Sequence, residues 1–140
     1  MSNRPTVAFA ADDTNETTDA VVDHLAGATE LSQVEGGDWV DMSVAVADMV
    51  ASGEVDYGVL MCWTGTGTAI AANKVAGVRA AQASDPWIAE NARRWNDANV
   101  LTLSLKQMSP SDAVACVEAF LAVDSPDADE QGPIDKLKAL

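Results

Sequence analysis

A chain of 140 residues with 48% apolar content is one globular domain with a proper core, too short for two domains and too apolar for a disordered segment. Its 22 acidic and 8 basic residues give a formal charge of −14, a surface that repels nucleic acid and anionic lipid and would suit a high-salt cytoplasm. No apolar run approaches the roughly 20 residues needed to span a bilayer, and Met1-Ser2-Asn3-Arg4-Pro5 lacks the layout of a signal peptide, so a cytoplasmic protein with no membrane or nucleic-acid partner is expected.

In chain order, residues 6–10 read as a short apolar strand running into Ala11-Asp12-Asp13. Residues 14–26 have helical periodicity, through Ala20, Val21, His24 and Leu25, with Gly27 placed to stop the helix. A weak strand at 30–34 is followed by the loop Glu35-Gly36-Gly37-Asp38 and a helix over 41–51 closed by Gly53. A third strand spans 57–61, and a helix over 68–74 opens after a Gly/Thr turn. A fourth strand is expected at 78–82. Ser84-Asp85-Pro86 then supplies a cap and a first-turn proline for a helix over 87–95. A fifth strand at 100–105 precedes a helix that starts at Ser109-Pro110-Ser111-Asp112 and runs to about residue 123. The tail from 124 is acidic and turn-rich, with a short helix over 134–140. Alternating β and α elements predict a three-layer α/β/α, Rossmann-like (flavodoxin-like) domain with a five-stranded parallel sheet and an extra C-terminal segment.

The segment from Tyr57 to Lys74 carries the most information: a buried strand, a thiol, the turn Thr64-Gly65-Thr66-Gly67, then a helix rich in alanine. In a parallel sheet this puts Cys62 at a strand's carboxyl end, where ligands bind. The turn and the positive end of the helix then aim backbone N–H groups beside the thiol. A nucleophile or base next to an oxyanion-binding nest makes a catalytic centre. The turn is not a dinucleotide fingerprint, which would need a glycine where Ile70 stands and a place after the first strand. Two cysteines, Cys62 and Cys116, suggest neither zinc nor a disulfide framework and fit a reducing compartment. No metal and no cofactor is expected.

From Gly53 to Leu103 the chain resembles the ribose-5-phosphate isomerase B / galactose-6-phosphate isomerase family. The resemblance rests on Ser52-Gly53-Glu54-Val55-Asp56, Cys62-x-Thr64-Gly65-x-Gly67, Ile70-Ala71-Ala72-Asn73-Lys74, Gly77-Val78-Arg79-Ala80, Ser84-Asp85-Pro86 and Asn96-Asp97-Ala98-Asn99-Val100-Leu101. It implies a metal-independent aldose–ketose isomerase working through an enediolate on a small carbohydrate-like substrate. The Cys matching Cys62 would move the proton, and the turn from Thr64 through Gly65, Thr66 and Gly67 into Thr68 and Ala69 would hold the enediolate oxygens. Thr64 matches a residue tied to ring opening, and Asp12 and Asn96 match residues that contact hydroxyls. The resemblance also implies a homodimer or tetramer with sites at the subunit interface, and the tail from 124 to 140 is expected to pack on a partner subunit.

The departures point one way. Trp63 stands where the family has glycine, Asp13 and Trp95 stand where it has histidines, and Trp39 stands for a tyrosine. The arginines that clamp phosphate in the family's C-terminal segment are missing: no Arg follows Arg94, and the tail has only Lys136 and Lys138. Asp13 and the three tryptophans are accordingly expected to contact a substrate without a phosphate. Each residue also has a plain reading: Cys62 as a small core hydrophobe, Asp12 and Asp13 as helix caps, Asn96 as a turn former, the tryptophans as core. The competing functions are a binding or assembly protein that keeps the isomerase fold, and a flavodoxin-like cofactor binder.

Overall fold

The structure, a computed structural model, describes residues 4–140, so Met1, Ser2 and Asn3 of the N-terminal reading lie outside the described residues. Strands β1 (Thr6–Ala11), β2 (Glu30–Gln33), β3 (Tyr57–Cys62), β4 (Ala80–Gln82) and β5 (Val100–Ser104) form one sheet in the order β2-β1-β3-β5-β4, all pairs parallel. Helices α1 (Glu16–Ala28), α2 (Trp39–Ala51), α3 (Thr66–Ala72), α4 (Pro86–Asn96), α5 (Pro110–Leu121) and α6 (Gln131–Lys138) complete the chain. The three-layer expectation holds, because the strands alternate their burial. Val7, Phe9, Val59 and Met61 pack under α1, α4 and α5, whereas Ala8, Ala10 and Leu60 pack under α2 and α3. No helix among the described residues is long and apolar enough to cross a membrane.

Boundaries differ where side chains compete for backbone groups. The first helix starts at Glu16, not at residue 14, because Asn15 caps it: its Oδ1 accepts from the Thr18 N–H at 3.0 Å while the Thr18 hydroxyl accepts from the Asn15 N–H at 2.8 Å. The second starts two residues early, since Asp38 makes the same reciprocal box with Asp41 and turns Trp39 into the first helical residue. The fourth strand is only three residues, as Val78 and Arg79 are held in a loop by Val75, Asn99 and Asp97.

Within one chain the tail docks against the end of α4. Asp127 takes Arg94 Nε and Nη2 at 3.1 and 3.2 Å, Lys138 pairs with Asp97 at 2.8 Å, and Ile134 is buried. Its last helix runs over 131–138 rather than 134–140, with Pro133 in the first turn where no intrahelical N–H is needed.

Candidate active site

The sheet order reverses direction between β1 and β3, so the crevice above their carboxyl ends is the ligand-binding point of such a fold. Asp12 and Cys62 arrive there on adjacent strands; the Asp12 N–H bonds the Met61 carbonyl at 3.2 Å. The chain then turns sharply. Gly65 sits at φ +79°, where an added Cβ would meet the Leu103 carbonyl carbon at 3.0 Å, so only glycine lets the turn lie on β5. Its carbonyl is pinned by the Thr102 hydroxyl at 2.8 Å, and the Trp63 carbonyl accepts from Ser104 Oγ at 2.5 Å.

This turn wraps the sulfur. Gly65 N–H donates to Cys62 Sγ at 3.1 Å, and Thr68 Oγ1 lies 3.4 Å from it. Burial pushes the thiol pKa up; hydrogen bonds from the Thr68 hydroxyl and from the N–H groups of Thr68, Gly65 and Thr64 more than offset it, leaving the pKa below the ordinary value. Gly65 at the N-cap has no side chain to offer the first turn of α3, and the Thr66 N–H there donates to the Thr64 hydroxyl at 3.3 Å instead. The Thr64 and Thr66 hydroxyls bond each other at 2.7 Å beside them.

At the rim, three neighbouring strands each send one side chain. Asp13 Oδ2 accepts from Trp63 Nε1 at 3.1 Å, and Lys106 Nζ lies 4.4 Å from the Trp63 ring centroid. Bonds from the Thr14 N–H and the Trp63 indole lower the Asp13 pKa despite a small opposing desolvation, with Lys106 adding to the lowering. Asp12 moves the other way: desolvation raises it, the charge of Asp13 raises it further, and its own N–H opposes. The two carboxylates are thereby split, one firmly ionised and one nearer a proton-carrying role. The Trp39 ring lies against Gly67, where an added Cβ would stand 3.0 Å from it.

A profile of the family described as Ribose/Galactose Isomerase matches residues 7–137. This chain belongs to the ribose/galactose isomerase family. It is 39% identical over 95 residues to the ribose-5-P isomerase B of Listeria innocua, covering 68% of this chain and 64% of that one. Against the ribose-5-phosphate isomerase B of Escherichia coli it is 38% identical over 106 residues, 76% of this chain and 71% of the relative. The chain thus spans about two thirds of the length of these curated relatives. The crystal structure of the Mycoplasma genitalium ribose-5-phosphate isomerase B with bound ribulose-5-phosphate superposes with a TM-score of 0.85 at 30% identity, covering 96% of this chain and 94% of that one.

Two family positions singled out in the sequence stay away from Cys62 within one chain. Trp95 and Asn96 end α4, which delivers the chain to Val100 at the start of β5, whereas Cys62 pairs with Ser104 at its far end. At about 3.3 Å per residue the separation is roughly 13 Å along the strand. Within one chain α4 runs antiparallel to the strands and carries its last turn to their amino-terminal ends, so Trp95 and Asn96 lie away from Asp12 and Cys62. There Trp95 donates Nε1–H to Asp127 at 3.2 Å and packs edge-to-face on Trp87, 5.7 Å between centroids. Both residues border a shallow cleft of about 310 Å³ beside β4. The plain reading of Asp12 and Asp13 as caps also fails, since Asn15 does that work.

Sequence reasoning missed Lys106, Gln82, Thr102 and Ser104. Gln82 Nε2 donates to the Thr64 carbonyl at 2.8 Å and so supports the turn from the edge strand. Their only sequence signal was position: Gln82 and Ser104 end strands and Lys106 follows one at the carboxyl ends that face the crevice, while Thr102 lies within β5.

Proposed function

We propose that this chain is an aldose–ketose isomerase that moves a proton between two carbons through an enediolate, with Cys62 as the base. The observation that carries the reading is the sulfur's setting: a lowered thiol pKa at the switch point, with the Gly65 N–H at 3.1 Å and the first turn of α3 beside it. The thiolate takes the proton α to the carbonyl; the N–H groups of the Gly65–Ala69 turn that do not serve the sulfur hold the oxygens as charge develops; Thr64 and Asp12 handle hydroxyl protons. Oxyanion donors and general acid–base groups each supply about 10²–10³-fold or more, so the loss of histidines weakens the chemistry without removing it.

The reading includes a second copy of the chain. Cys62 lines none of three cavities of about 590, 450 and 310 Å³ in the single chain. Trp39, Trp63 and Trp95 are 44%, 56% and 40% exposed, which suits rings that a partner covers. Trp95 and Asn96 of a two-fold-related copy would close the site over Cys62.

The substrate in this reading lacks a phosphate. The relatives named above act on or bind phosphorylated sugars by their names. Here the rim carries Asp12, Asp13 and Trp63, and its one cation among the described residues, Lys106, already lies over the Trp63 ring. Phosphate recognition calls for charge-assisted, preferably bidentate donors, and this rim offers one ammonium and no guanidinium.

The test is solvent deuterium incorporation at the carbon next to the carbonyl, with ribose 5-phosphate and unphosphorylated pentoses and hexoses as probes. Incorporation with an unphosphorylated sugar, abolished by Cys62→Ala, is expected. Turnover of ribose 5-phosphate at a micromolar-to-millimolar Michaelis constant rejects the altered substrate. No incorporation from any sugar, with Cys62 inert to iodoacetamide, rejects the enzyme in favour of a binding or assembly protein.

A further inference from the structure

The Gly/Thr turn is held from behind by three side chains to which the proton transfer assigns no part. On β5 the apolar run is broken at Thr102 and Ser104, both buried. They share one face of the sheet with Gln82 and Cys62, through the pairs Gln82–Thr102 and Cys62–Ser104. A hydroxyl buried in a strand is costly without a partner, and each of these finds its partner on the turn. Ser104 Oγ donates to the Trp63 carbonyl at 2.5 Å, Gln82 Nε2 to the Thr64 carbonyl at 2.8 Å and Thr102 Oγ1 to the Gly65 carbonyl at 2.8 Å. Three successive peptide units are thus gripped at their oxygens.

A trans peptide directs its N–H opposite to its carbonyl, so whatever fixes the oxygen also aims the hydrogen. The first two units end in the N–H groups of Thr64 and Gly65, and both serve the Cys62 sulfur, Gly65 at 3.1 Å. The third ends in the Thr66 N–H, which goes to the Thr64 hydroxyl at 3.3 Å. Hydrogen bonds in a chain polarise one another, so a donor at a carbonyl strengthens the N–H on the far side of the same peptide. Gln82 differs from the two hydroxyls. It is exposed, it belongs to neither apolar cluster of the core, and it reaches from the edge strand β4 past β5 to the turn after β3. That reach is possible because Gly65 lies directly on the β5 backbone, where an added Cβ would stand 3.0 Å from the Leu103 carbonyl carbon.

We propose that Gln82 is a positioning residue for the Cys62 thiolate, acting through the Thr64–Gly65 peptide to aim and polarise the N–H that the sulfur receives. The nest for negative charge is then built from the edge of the sheet as well as from the turn, before any substrate arrives. The inference rests on Cys62 as the reacting thiol, and its readout is the sulfur's titration, not turnover. Water replaces the amide at the Thr64 carbonyl once Gln82 is changed, which returns a hydrogen bond without its fixed direction. The effect is accordingly modest.

The experiment is iodoacetamide alkylation of Cys62 as a function of pH, followed on its own peptide by mass spectrometry, in wild type, Gln82→Leu, Gln82→Lys and Gln33→Leu. Leucine fills similar space without a donor, and lysine returns an N–H donor of similar reach. High salt screens the exposed ammonium, so that it acts as a donor and not as a charge. Gln33 ends the opposite edge strand, β2, and is the control. In Gln82→Leu the midpoint of the rate profile should rise, equivalent to about a threefold lower thiolate fraction at any pH below it, with the high-pH plateau held within about twofold. Gln82→Lys should restore the wild-type midpoint, and Gln33→Leu should leave it unchanged. The proposal is overturned by an unmoved midpoint in Gln82→Leu, by equal rises in Gln82→Leu and Gln82→Lys, or by the same rise in Gln33→Leu. A plateau that falls while the midpoint stays also overturns it, because the turn has then moved without weakening the thiolate. If no sugar is deuterated while Gln82→Leu still shifts the midpoint, the isomerase reading falls and this one stands. A working isomerase whose midpoint ignores Gln82 gives the reverse.

Discussion

Thr68 Oγ1, in the first turn of α3, lies 3.4 Å from Cys62 Sγ and 3.3 Å from the Gly65 carbonyl, so its one proton is shared between them. One hydroxyl thus ties the sulfur to the turn that wraps it. Burial raises the thiol pKa, and the Thr68 hydroxyl is the largest influence acting against it. Thr68→Val keeps the shape and deletes that bond, so the pKa must rise, and each unit of rise reduces the thiolate fraction near neutrality about tenfold. Iodoacetamide alkylation of Cys62 at pH 7 should slow severalfold or more. The other thiol provides the background: Cys116 is fully buried, its pKa pushed to about 11 by burial and by Asp85 and Asp112, and should stay unlabelled. Equal rates in wild type and Thr68→Val would place the activating group elsewhere.

Asp12 and Asp13 provide a titration test. Desolvation raises Asp12 and the Asp13 charge raises it further. In Asp13→Asn the second influence disappears and the first remains, so the Asp12 carboxyl should titrate lower than in wild type yet above an ordinary aspartate, read by carboxyl ¹³C shifts. The linkage signs are opposite. Asp12, raised in the fold, favours the native state below its unfolded pKa, a contribution lost as pH rises through the folded pKa. Asp13, lowered by the Thr14 N–H and the Trp63 indole, favours it above the ordinary aspartate pKa, a contribution lost as pH falls through the folded one. An Asp12 midpoint unmoved by Asp13→Asn would show that the two charges do not interact.

Gly65 and Gly67 stand two residues apart and should respond differently to alanine. At Gly65 the backbone is left-handed and the new Cβ meets β5 backbone, which cannot yield; Gly65→Ala should cost about 2 kcal/mol by urea denaturation and displace the N–H that faces Cys62. At Gly67 the new Cβ meets only the Trp39 ring, 44% exposed and free to swing. Gly67→Ala should change stability by less than about 0.5 kcal/mol and act on substrate affinity instead. Equal denaturation midpoints for the two variants would refute the strained turn.

How far the sequence could be read follows from the range of the interactions. Strand 57–62, the thiol, the turn and the following helix were legible because everything that shapes them lies within a dozen residues, and Gly65 and Gly67 advertise the backbone's needs. The short fourth strand was not, since Arg79 is drawn out of it by Asp97 and Asn99, 18 and 20 residues away. The Asp13–Trp63–Lys106 rim joins three strands, and no local pattern announces that an indole 50 residues on will bond an aspartate. The tail's place was illegible because acidic, turn-rich composition hides Asp127, whose carboxylate holds both Arg94 and Trp95.

The two-copy site makes the most demanding prediction. Cys62 and Asn96 sit at opposite ends of β5's span, and the proposed two-fold dimer would take Cys62 of each site from one chain and Asn96 from the other. Cys62→Ala and Asn96→Ala should each lose most turnover on whichever sugar the wild type isomerises. In a heterodimer of the two variants, one site carries both substitutions and the other carries neither. Unfolding and refolding an equal mixture gives about half heterodimers by random pairing, each with one intact site, and should restore about one quarter of wild-type activity. The restored activity should grow with the fraction of heterodimer, measured by native mass spectrometry on differently tagged chains. If heterodimers form and remain as inactive as the parents, Asn96 does not serve the partner's thiol, and each chain must complete its site with its own residues.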